Sequence, residues 1–251
     1  MQIQYFGKTD IGSVRDSNQD NFFAGFLDEE NNEIFLAAVC DGMGGANGGS
    51  FASSLALNTF ITELSAGLKN LVAEKLPSDA CEVLLSYAAK CANSEVYAAS
   101  KKDLSLRGMG TTLVAMLVFR GAVYVINIGD SRLYVVSDDG ICKLTHDHSY
   151  VQTLVDQGKI TEEEARVHPN KNVIMRAVGT DSEIKADIFK VLPDKKYFLL
   201  CSDGLSNFVD EAVMEKVIRE SPSLAEAADR MIESANAAGG ADNITVVLVK
   251  A

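Results

Sequence analysis

Residues 34–50 read IFLAAVCDGMGGANGGS and join two opposite kinds of sequence. The apolar run from Ile34 to Cys40 is typical of a buried strand, and it stops at the carboxylate of Asp41. Five of the nine residues after Asp41 are glycine, which weakens regular elements and adds chain entropy that folding has to remove. Such a stretch indicates a tight turn or a close approach of another group to the backbone.

Composition limits the classes of protein to which this chain can belong. The 251 residues are 47% hydrophobic, which is enough for one large core. No run of about 18 apolar residues is present and the N-terminus lacks a signal-peptide pattern, so we expect a cytoplasmic protein without a membrane partner. The net charge of −12 argues against a nucleic-acid partner, whose phosphates would be repelled. The five cysteines lack CxxC spacing and are expected to be reduced and mostly buried.

Apolar runs and their periodicity predict an α+β fold. Residues 79–98 and 224–235 carry apolar side chains at helical spacing, and 50–66 is predicted to be a helix that starts after the glycine-rich turn. Short turns at 120–121 and 137–140 join consecutive strands, which predicts antiparallel pairing. Separate blocks of strands and helices predict two antiparallel sheets with helices outside. Strands are predicted at residues 34–40, 111–119, 122–128, 132–136, 197–201 and 244–249.

Aspartate recurs where the predicted strands meet loops. One such residue commonly just accepts backbone N–H bonds at a turn, but several at one sheet edge repel one another and resist ionisation. A divalent cation such as Mg²⁺ or Mn²⁺, which prefers carboxylate oxygens, removes that cost. The sequence therefore indicates a metal site, although it does not show that these residues converge. Five aspartates share this position, most of them beside glycine: Asp20, Asp41, Asp130, Asp203 and Asp242.

Other motifs that would explain the glycines or the histidines are absent. The dinucleotide-binding pattern GxGxxG needs glycine at position 47, where Asn47 stands, and neither GxxxxGK[ST] nor HExxH occurs. The pair His146 and His148 is weak as a zinc site.

Six short motifs occur in order along the chain and carry a resemblance to a known family. They are DIGSVRDSNQD at 10–20, DGMGG at 41–45, GTT at 110–112, GDSR at 129–132, SDGL at 202–205 and DNIT at 242–245. Together they resemble the metal-dependent Ser/Thr protein phosphatases of the type-2C, or PPM, family, and the length resembles that of bacterial members made of the catalytic domain alone. The resemblance implies one catalytic domain over residues 1–251. It also implies an antiparallel β-sandwich flanked by helices on both sides, in agreement with the α+β pattern.

The resemblance implies a role for each candidate metal ligand. Asp41 matches the residue that bridges two tightly bound Mn²⁺ or Mg²⁺ ions. Asp203 and Asp242 match the residues that complete the shell of the first ion. Asp20 and the carbonyl oxygen of Gly42 match the ligands of the second ion. A hydroxide that bridges the two ions would attack phosphorus in phosphoserine or phosphothreonine.

Four further positions bear on the implied reaction. Asp130, together with Asp203, matches the site of a third, weakly held ion in bacterial relatives. Arg15 matches the phosphate-binding arginine, whose planar fork suits phosphate oxygens; alone, it fits a surface ion pair. Met43 stands where many eukaryotic members have a histidine proposed as general acid, and methionine cannot donate a proton. Water, a metal-bound water or another residue then has to do so, with His148 as a candidate that alternatively caps a helix.

The segment 146–178 matches the family's flap beside the active site, and an ordinary helical insertion is the alternative. Within it, Thr161 and Glu164 are spaced as a capping box that starts a second short helix. The expected substrates are phosphorylated proteins in signalling, with a bacterial Ser/Thr kinase as the opposing partner and a monomeric enzyme. Two other functions stay open at this point: a pseudo-enzyme or regulatory binding module on the same fold, and an acidic metal-binding protein without catalysis.

Overall fold

Two antiparallel sheets lie face to face in the computed structural model, which describes residues 3–27, 33–75, 77, 80–191 and 197–251. The first sheet contains, in spatial order, β1 (Gln4–Asp10), β11 (Ile244–Lys250), β10 (Tyr197–Cys201), β7 (Arg132–Ser137) and β8 (Gly140–Lys143). The second contains β2 (Asp20–Phe26), β3 (Ile34–Met43), β5 (Leu113–Phe119), β6 (Ala122–Ile128) and β9 (Asp187–Val191). The two-residue β4 (Gly110–Thr111) pairs with the end of β3.

Helices cover the outer face of each sheet. The second sheet packs against α1 (Gly45–Ala73) and α2 (Ala80–Lys102), and the first against α6 (Glu211–Glu220) and α7 (Leu224–Ala237). The short α5 (Asp203–Ser206) follows β10, while α3 (Tyr150–Asp156) and α4 (Glu162–Val167) lie between β8 and β9. These layers confirm the predicted β-sandwich with helices on both sides. None of the described helices combines the length and apolar content needed to cross a membrane.

The apolar run of β3 is explained by burial of both its faces. Phe35, Ala37 and Val39 lie in the core between the two sheets. Leu36 and Ala38, with Cys40, alternate with them and lie in the core under α1 and α2. A strand that is covered on both faces has an apolar side chain at every position, which is why this stretch reads as continuous rather than alternating.

The structure corrects three predicted boundaries. β3 does not stop at Asp41, because Gly42 and Met43 continue it by pairing with β4. The predicted strand 111–119 is interrupted at Thr112. α1 begins at Gly45, inside the glycine run and not at residue 50, after Gly44 adopts a φ of 123°. The glycines after Met43 thus form the turn between β3 and α1 and the first turn of α1.

The predicted turns and the cap of the flap are confirmed. Arg120 and Gly121 join β5 to β6 as a two-residue turn, with positive φ of 49° and 73°. β7 and β8 pair around the turn at 137–140. Thr161 and Glu164 form a reciprocal capping box at the start of α4. All five cysteines are free thiols, and three of them are buried.

Candidate active site

A cavity of about 760 Å³ opens at the end of the sandwich where loops from both sheets meet. Its lining includes six of the seven residues that the sequence singled out: Arg15, Asp41, Gly42, Asp130, Asp203 and Asp242. The seventh, Asp20, is buried beside the cavity and accepts a hydrogen bond from Ser202, the neighbour of Asp203. The structure therefore brings together residues that are up to 227 positions apart in the chain.

Strand pairing accounts for this convergence. Asp20 and Asp41 are directly opposite each other in the register of β2 and β3, so both side chains lie on the same face. Asp203 follows β10 and Asp242 precedes its antiparallel neighbour β11. Both therefore lie at the same end of these two paired strands. Asp130 lies between β6 and β7, where the chain crosses from the second sheet to the first.

A network of hydroxyl groups holds one oxygen of Asp20. Ser202 Oγ and Thr245 Oγ1 both donate to Asp20 Oδ2 at 2.7 Å. Because the Thr245 hydroxyl donates to the carboxylate, Thr9 Oγ1, 2.8 Å away, donates to it in turn, and Asn18 Nδ2 donates to Thr9 Oγ1. Asp20 Oδ1 is buried and has no hydrogen-bond partner among the described residues. The network thus fixes one oxygen and leaves the other for a ligand.

The GTT motif holds the backbone on either side of the Asp41 side chain. Thr112 Oγ1 accepts a hydrogen bond from the Asp41 N–H at 2.9 Å, and Thr111 Oγ1 donates to the Asp41 carbonyl at 2.9 Å. A Cβ on Gly42 would lie 2.1 Å from the carbonyl oxygen of Gly49. Glycine is therefore the residue that lets the start of α1 approach the end of β3 so closely.

Burial and mutual repulsion raise the pKa values of these carboxyl groups. Loss of hydration is the largest cause, and it raises the pKa of Asp20 to about 7, that of Asp130 to about 8 and that of Asp203 to about 6. The pKa of Asp41 is raised well above its usual range by burial and then by the charges of Asp20 and Asp203. The protein alone thus does not stabilise the fully ionised cluster.

The donor set fits divalent cations. Asp130 Oδ1, like Asp20 Oδ1, is buried without a hydrogen-bond partner in the described part of the chain, and such atoms are rare unless an ion or water satisfies them. No group of three or more Asp, Glu, His or Cys side chains among the described residues already encloses a single point as a metal would require. Asp203 instead accepts a hydrogen bond from Asn207, and Asp242 accepts one from Arg15. The residues therefore fit cations as a set, and the geometry does not divide them between individual ions.

Arg15 pairs with one of the carboxylates at the rim of the cavity. Its Nη2 donates to Asp242 Oδ2 at 2.7 Å, while about half of the side chain, 52%, stays exposed. The hydrogen bond to Asp242 raises the pKa of Arg15 further above its ordinary value. The ion-pair interpretation of Arg15 is thus correct, and the guanidinium still faces the cavity that a phosphate would enter.

The loop that carries Arg15 is attached to the loop before β11. Ser13 N–H donates to the Gly240 carbonyl at 2.7 Å. Asn243 Nδ2 donates to the carbonyls of Ile11 and Ser17, at 2.9 and 3.0 Å, and so ties both ends of the loop. Gly12 has a φ of 79°, and a Cβ there would lie 2.3 Å from the Asp242 carbonyl oxygen. This loop therefore sits in one place relative to Asp242.

His148 supports the backbone next to Asp130 rather than facing the cavity. Its side chain is 3% exposed, its Nδ1 accepts the Gly129 N–H at 3.1 Å, and its own N–H donates to the Gly129 carbonyl at 2.9 Å. Its Nε2 lies 3.2 Å from Asp187 Oδ2, and burial lowers the pKa of the ring. The hypothesis of His148 as general acid, or as a helix cap, is therefore wrong; Ser149 caps α3.

Segment 146–178 lies beside the cavity, as the flap interpretation requires. Asn172 and Ile174 line the cavity, and Ile174 forms a β-bridge with Ser149. Within the same segment, Asp147 Oδ2 accepts a hydrogen bond from Arg132 Nη2 at 2.7 Å, so the arginine two positions after Asp130 pairs with the flap.

Sequence reasoning missed the residues that support the carboxylates. Ser202 and Thr245 belong to the SDGL and DNIT motifs, yet only their acidic neighbours received roles. Both are fully buried, and a hydroxyl next to a motif aspartate was the available signal. Asn243, which ties the Arg15 loop, was missed for the same reason.

Comparison with known proteins gives one consistent similarity. Residues 13–248 match the family described as Protein phosphatase 2C. The Serine/threonine phosphatase stp of Listeria innocua is 39% identical over 244 residues, which cover 97% of this chain and 94% of that protein. The crystal structure of Serine/threonine phosphatase Stp1 from Staphylococcus aureus matches 100% of this chain and 96% of its own, with a TM-score of 0.91 and 32% identity. The catalytic domain of PstP, solved in complex with two manganese ions, matches 99% of this chain and 97% of its own, with a TM-score of 0.81 and 34% identity.

Proposed function

This chain belongs to the protein phosphatase 2C family and is a metal-dependent Ser/Thr protein phosphatase, and we propose how its own residues carry out the reaction. The observation that supports the proposal is the gathering of five aspartates from both sheets around one cavity, two of them with a buried oxygen that has no hydrogen-bond partner within the described residues. Hard divalent cations take such oxygens as ligands.

In this proposal the aspartates hold Mn²⁺ or Mg²⁺. Asp41 and Asp203, together with Asp242, Asp20 and the Gly42 carbonyl, hold two ions tightly. When bound, the ions neutralise the acidic cluster and activate a water molecule for attack on phosphorus. Because the pKa values of Asp20, Asp41 and Asp130 are raised, binding of cations would release protons from these carboxyl groups.

Asp130 holds a third ion weakly, with Asp203 as the shared ligand. Its Oδ1 is buried and has no hydrogen-bond partner in the part of the chain that the structure describes, which favours a cation there. Fewer protein ligands and more waters imply weaker binding, since Mg²⁺-like ions give up water reluctantly.

Arg15 binds the phosphoryl group. Its Nη2 is held by Asp242 at 2.7 Å, so the guanidinium is fixed in position while its other N–H groups remain available for phosphate oxygens. A fixed cation at this rim also offsets the repulsion that a chain with a net charge of −12 exerts on a phosphorylated substrate.

Water protonates the leaving Ser or Thr oxygen in this proposal. Met43 lines the cavity but has no proton to give, and His148 is buried with Nδ1 committed to Gly129. The cavity is open to solvent at the residues around Arg15, whose side chain is half exposed.

The cellular setting is the coarsest part of the proposal. We place the enzyme in the cytoplasm as a monomeric catalytic domain over residues 1–251, acting in signalling against the products of a bacterial Ser/Thr kinase. The strong negative charge disfavours nucleic acid as a partner.

Phosphate release from phosphothreonine peptides, with and without Mn²⁺, tests the function. We expect no turnover after chelation and full recovery when Mn²⁺ or Mg²⁺ is added back. Full activity after exhaustive metal removal would overturn the mechanism. A chain that binds ions but never releases phosphate would instead support the non-catalytic metal-binding alternative, and one that hydrolyses neither peptides nor a small aryl phosphate would support the pseudo-enzyme.

A further inference from the structure

Two aliphatic residues that have no part in the proposed hydrolysis of phosphate, Val14 and Ile174, line the cavity. Val14, next to Arg15 in the chain, lines the cavity and is 65% exposed. Ile174 of the flap lines the same cavity from a segment 160 positions further along. The volume of about 760 Å³ is far larger than a phosphoryl group needs and falls in the range that buries a larger ligand.

Both residues are held in place by backbone contacts. The Val14 loop is fixed at both ends through the bonds of Asn243 to the carbonyls of Ile11 and Ser17. Ile174 forms a bridge with Ser149, and hydrogen bonds of 2.8 and 2.7 Å flank it on either side. The exposure of Val14 therefore belongs to a defined surface and not to a loose loop.

The chain neighbour of Arg15 is well placed to contact the residue next to the phosphorylated one. If the phosphoryl group lies on Arg15, the adjacent substrate residue has its Cα only about 3.8 Å from that of the phosphorylated residue. Because Val14 and Ile174 line the same cavity as Arg15, a flanking side chain that enters this cavity can contact them. Covering exposed aliphatic surface is favourable by about 25 cal/mol per Å².

We propose that Val14 and Ile174 form an apolar contact for the residues that flank the phosphorylated Ser or Thr, so that the enzyme favours substrates with aliphatic flanking residues. This inference rests on the proposed function, because it places the phosphoryl group at Arg15. It names a substrate class, phosphoproteins with Leu, Ile, Val or Met beside the phosphorylated residue.

Two peptides of equal charge test the inference. Both contain one phosphothreonine, flanked on each side by Leu in one peptide and by Asn in the other, which has as many side-chain heavy atoms. At saturating Mn²⁺ we expect kcat/KM for the Leu peptide to be about 3- to 10-fold higher, as one partly covered aliphatic group provides.

Variants assign the preference to the two residues. Val14→Thr and Ile174→Thr keep the β-branched shape, and each should move the Leu/Asn ratio towards 1. A purely structural defect would lower both kcat/KM values together and leave the ratio unchanged. Val167→Thr is the matched control, because Val167 is 83% exposed on the flap but does not line the cavity, so it should keep the wild-type ratio.

The outcomes separate this inference from the function beneath it. Equal kcat/KM for the two peptides, or a wild-type ratio in both Val14→Thr and Ile174→Thr, overturns the apolar contact and leaves the phosphatase function standing. If the Val167→Thr control loses the preference as well, the contact is not at Val14 and Ile174 and the assignment is wrong. Failure to hydrolyse either peptide with Mn²⁺ overturns the proposed function and this inference with it.

Discussion

Asp20 and Asp130 are both buried aspartates with one oxygen that lacks a hydrogen-bond partner among the described residues, but the molecule holds them in different ways. Asp20 starts a strand, faces Asp41 across the register, and receives two hydroxyl hydrogen bonds from the neighbouring sheet. Asp130 lies in the link between β6 and β7, where the chain passes from the second sheet to the first.

The support behind the two aspartates differs in the same way. The donors to Asp20 are buried side chains of central strands or their ends, and one of them, Thr245, is held in turn by a second layer formed by Thr9 and Asn18. The support of Asp130 is indirect, through Gly129 and the buried ring of His148. The Asp20 side of the site is thus prepared for a ligand in advance, whereas the Asp130 side depends on a loop and on the base of the flap. We therefore expect tight ions on the Asp20 side and a weak ion at Asp130.

We expect the largest loss of activity when Asp41 or Asp203, two of the proposed metal ligands, is removed. Asp41→Ala and Asp203→Ala should each lower kcat by more than about 100-fold, beyond the loss expected for an outer partner of a ligand. The fold should persist, because removing one carboxylate relieves repulsion in the cluster. Phosphate release and thermal unfolding check both points. A wild-type kcat in either variant would contradict that residue's assignment.

Arg15 separates phosphate binding from cation binding on the prepared side. Arg15→Ala should lower kcat/KM about 10- to 100-fold, the value of a charge-assisted hydrogen bond, while Mn²⁺ stoichiometry stays at the wild-type value. Arg15→Lys should recover only part of the loss, because an ammonium lacks the fork. Steady-state kinetics and equilibrium dialysis measure the two quantities. Unchanged kcat/KM in both variants would make Arg15 a surface ion-pair partner of Asp242 only.

The hydroxyl network is tested by replacing one donor with an isostere. Thr245→Val removes a 2.7 Å hydrogen bond to Asp20, and we expect the Mn²⁺ concentration for half-maximal activity to rise about tenfold, as for other outer partners of metal ligands. At saturating Mn²⁺, kcat should return to near the wild-type value. Thr245→Ser keeps the hydroxyl and is the matched control. If Thr245→Val and Thr245→Ser have the same Mn²⁺ dependence, the network does not prepare the site.

We expect the smallest loss of kcat when Asp130 is replaced. Asp130→Ala should keep both tight ions and the fold, lower kcat by less than about tenfold, and remove the part of the activity that needs high Mn²⁺. Metal stoichiometry and kcat against Mn²⁺ concentration measure this. Identical curves for the variant and the wild type would leave Asp130 as a structural residue. Loss of the tight ions would place Asp130 in the main pair.

Much of the fold could be predicted because the central strands have a recognisable apolar sequence. β3, β5, β6, β10 and β11 are buried on both faces, so apolar residues dominate their sequences. The four described strands that were not predicted, β1, β2, β8 and β9, are the edges of the two sheets. Edge strands are partly exposed and have polar residues at mixed positions, so no period identifies them.

In the candidate site, the residue types could be predicted from the sequence, but their contacts could not. Residue type and local turn chemistry are properties of short stretches, so the sequence was enough to identify five aspartates, most of them beside glycine, and one arginine, all in motifs of fixed order. Which of these residues contact one another depends on the tertiary structure. Arg15 pairs with Asp242, Asp20 receives its bonds from Ser202 and Thr245, and His148 turns away from the cavity to bind Gly129. Those contacts join segments up to 227 residues apart, and the register of paired strands sets them, so no local pattern in the sequence contains them.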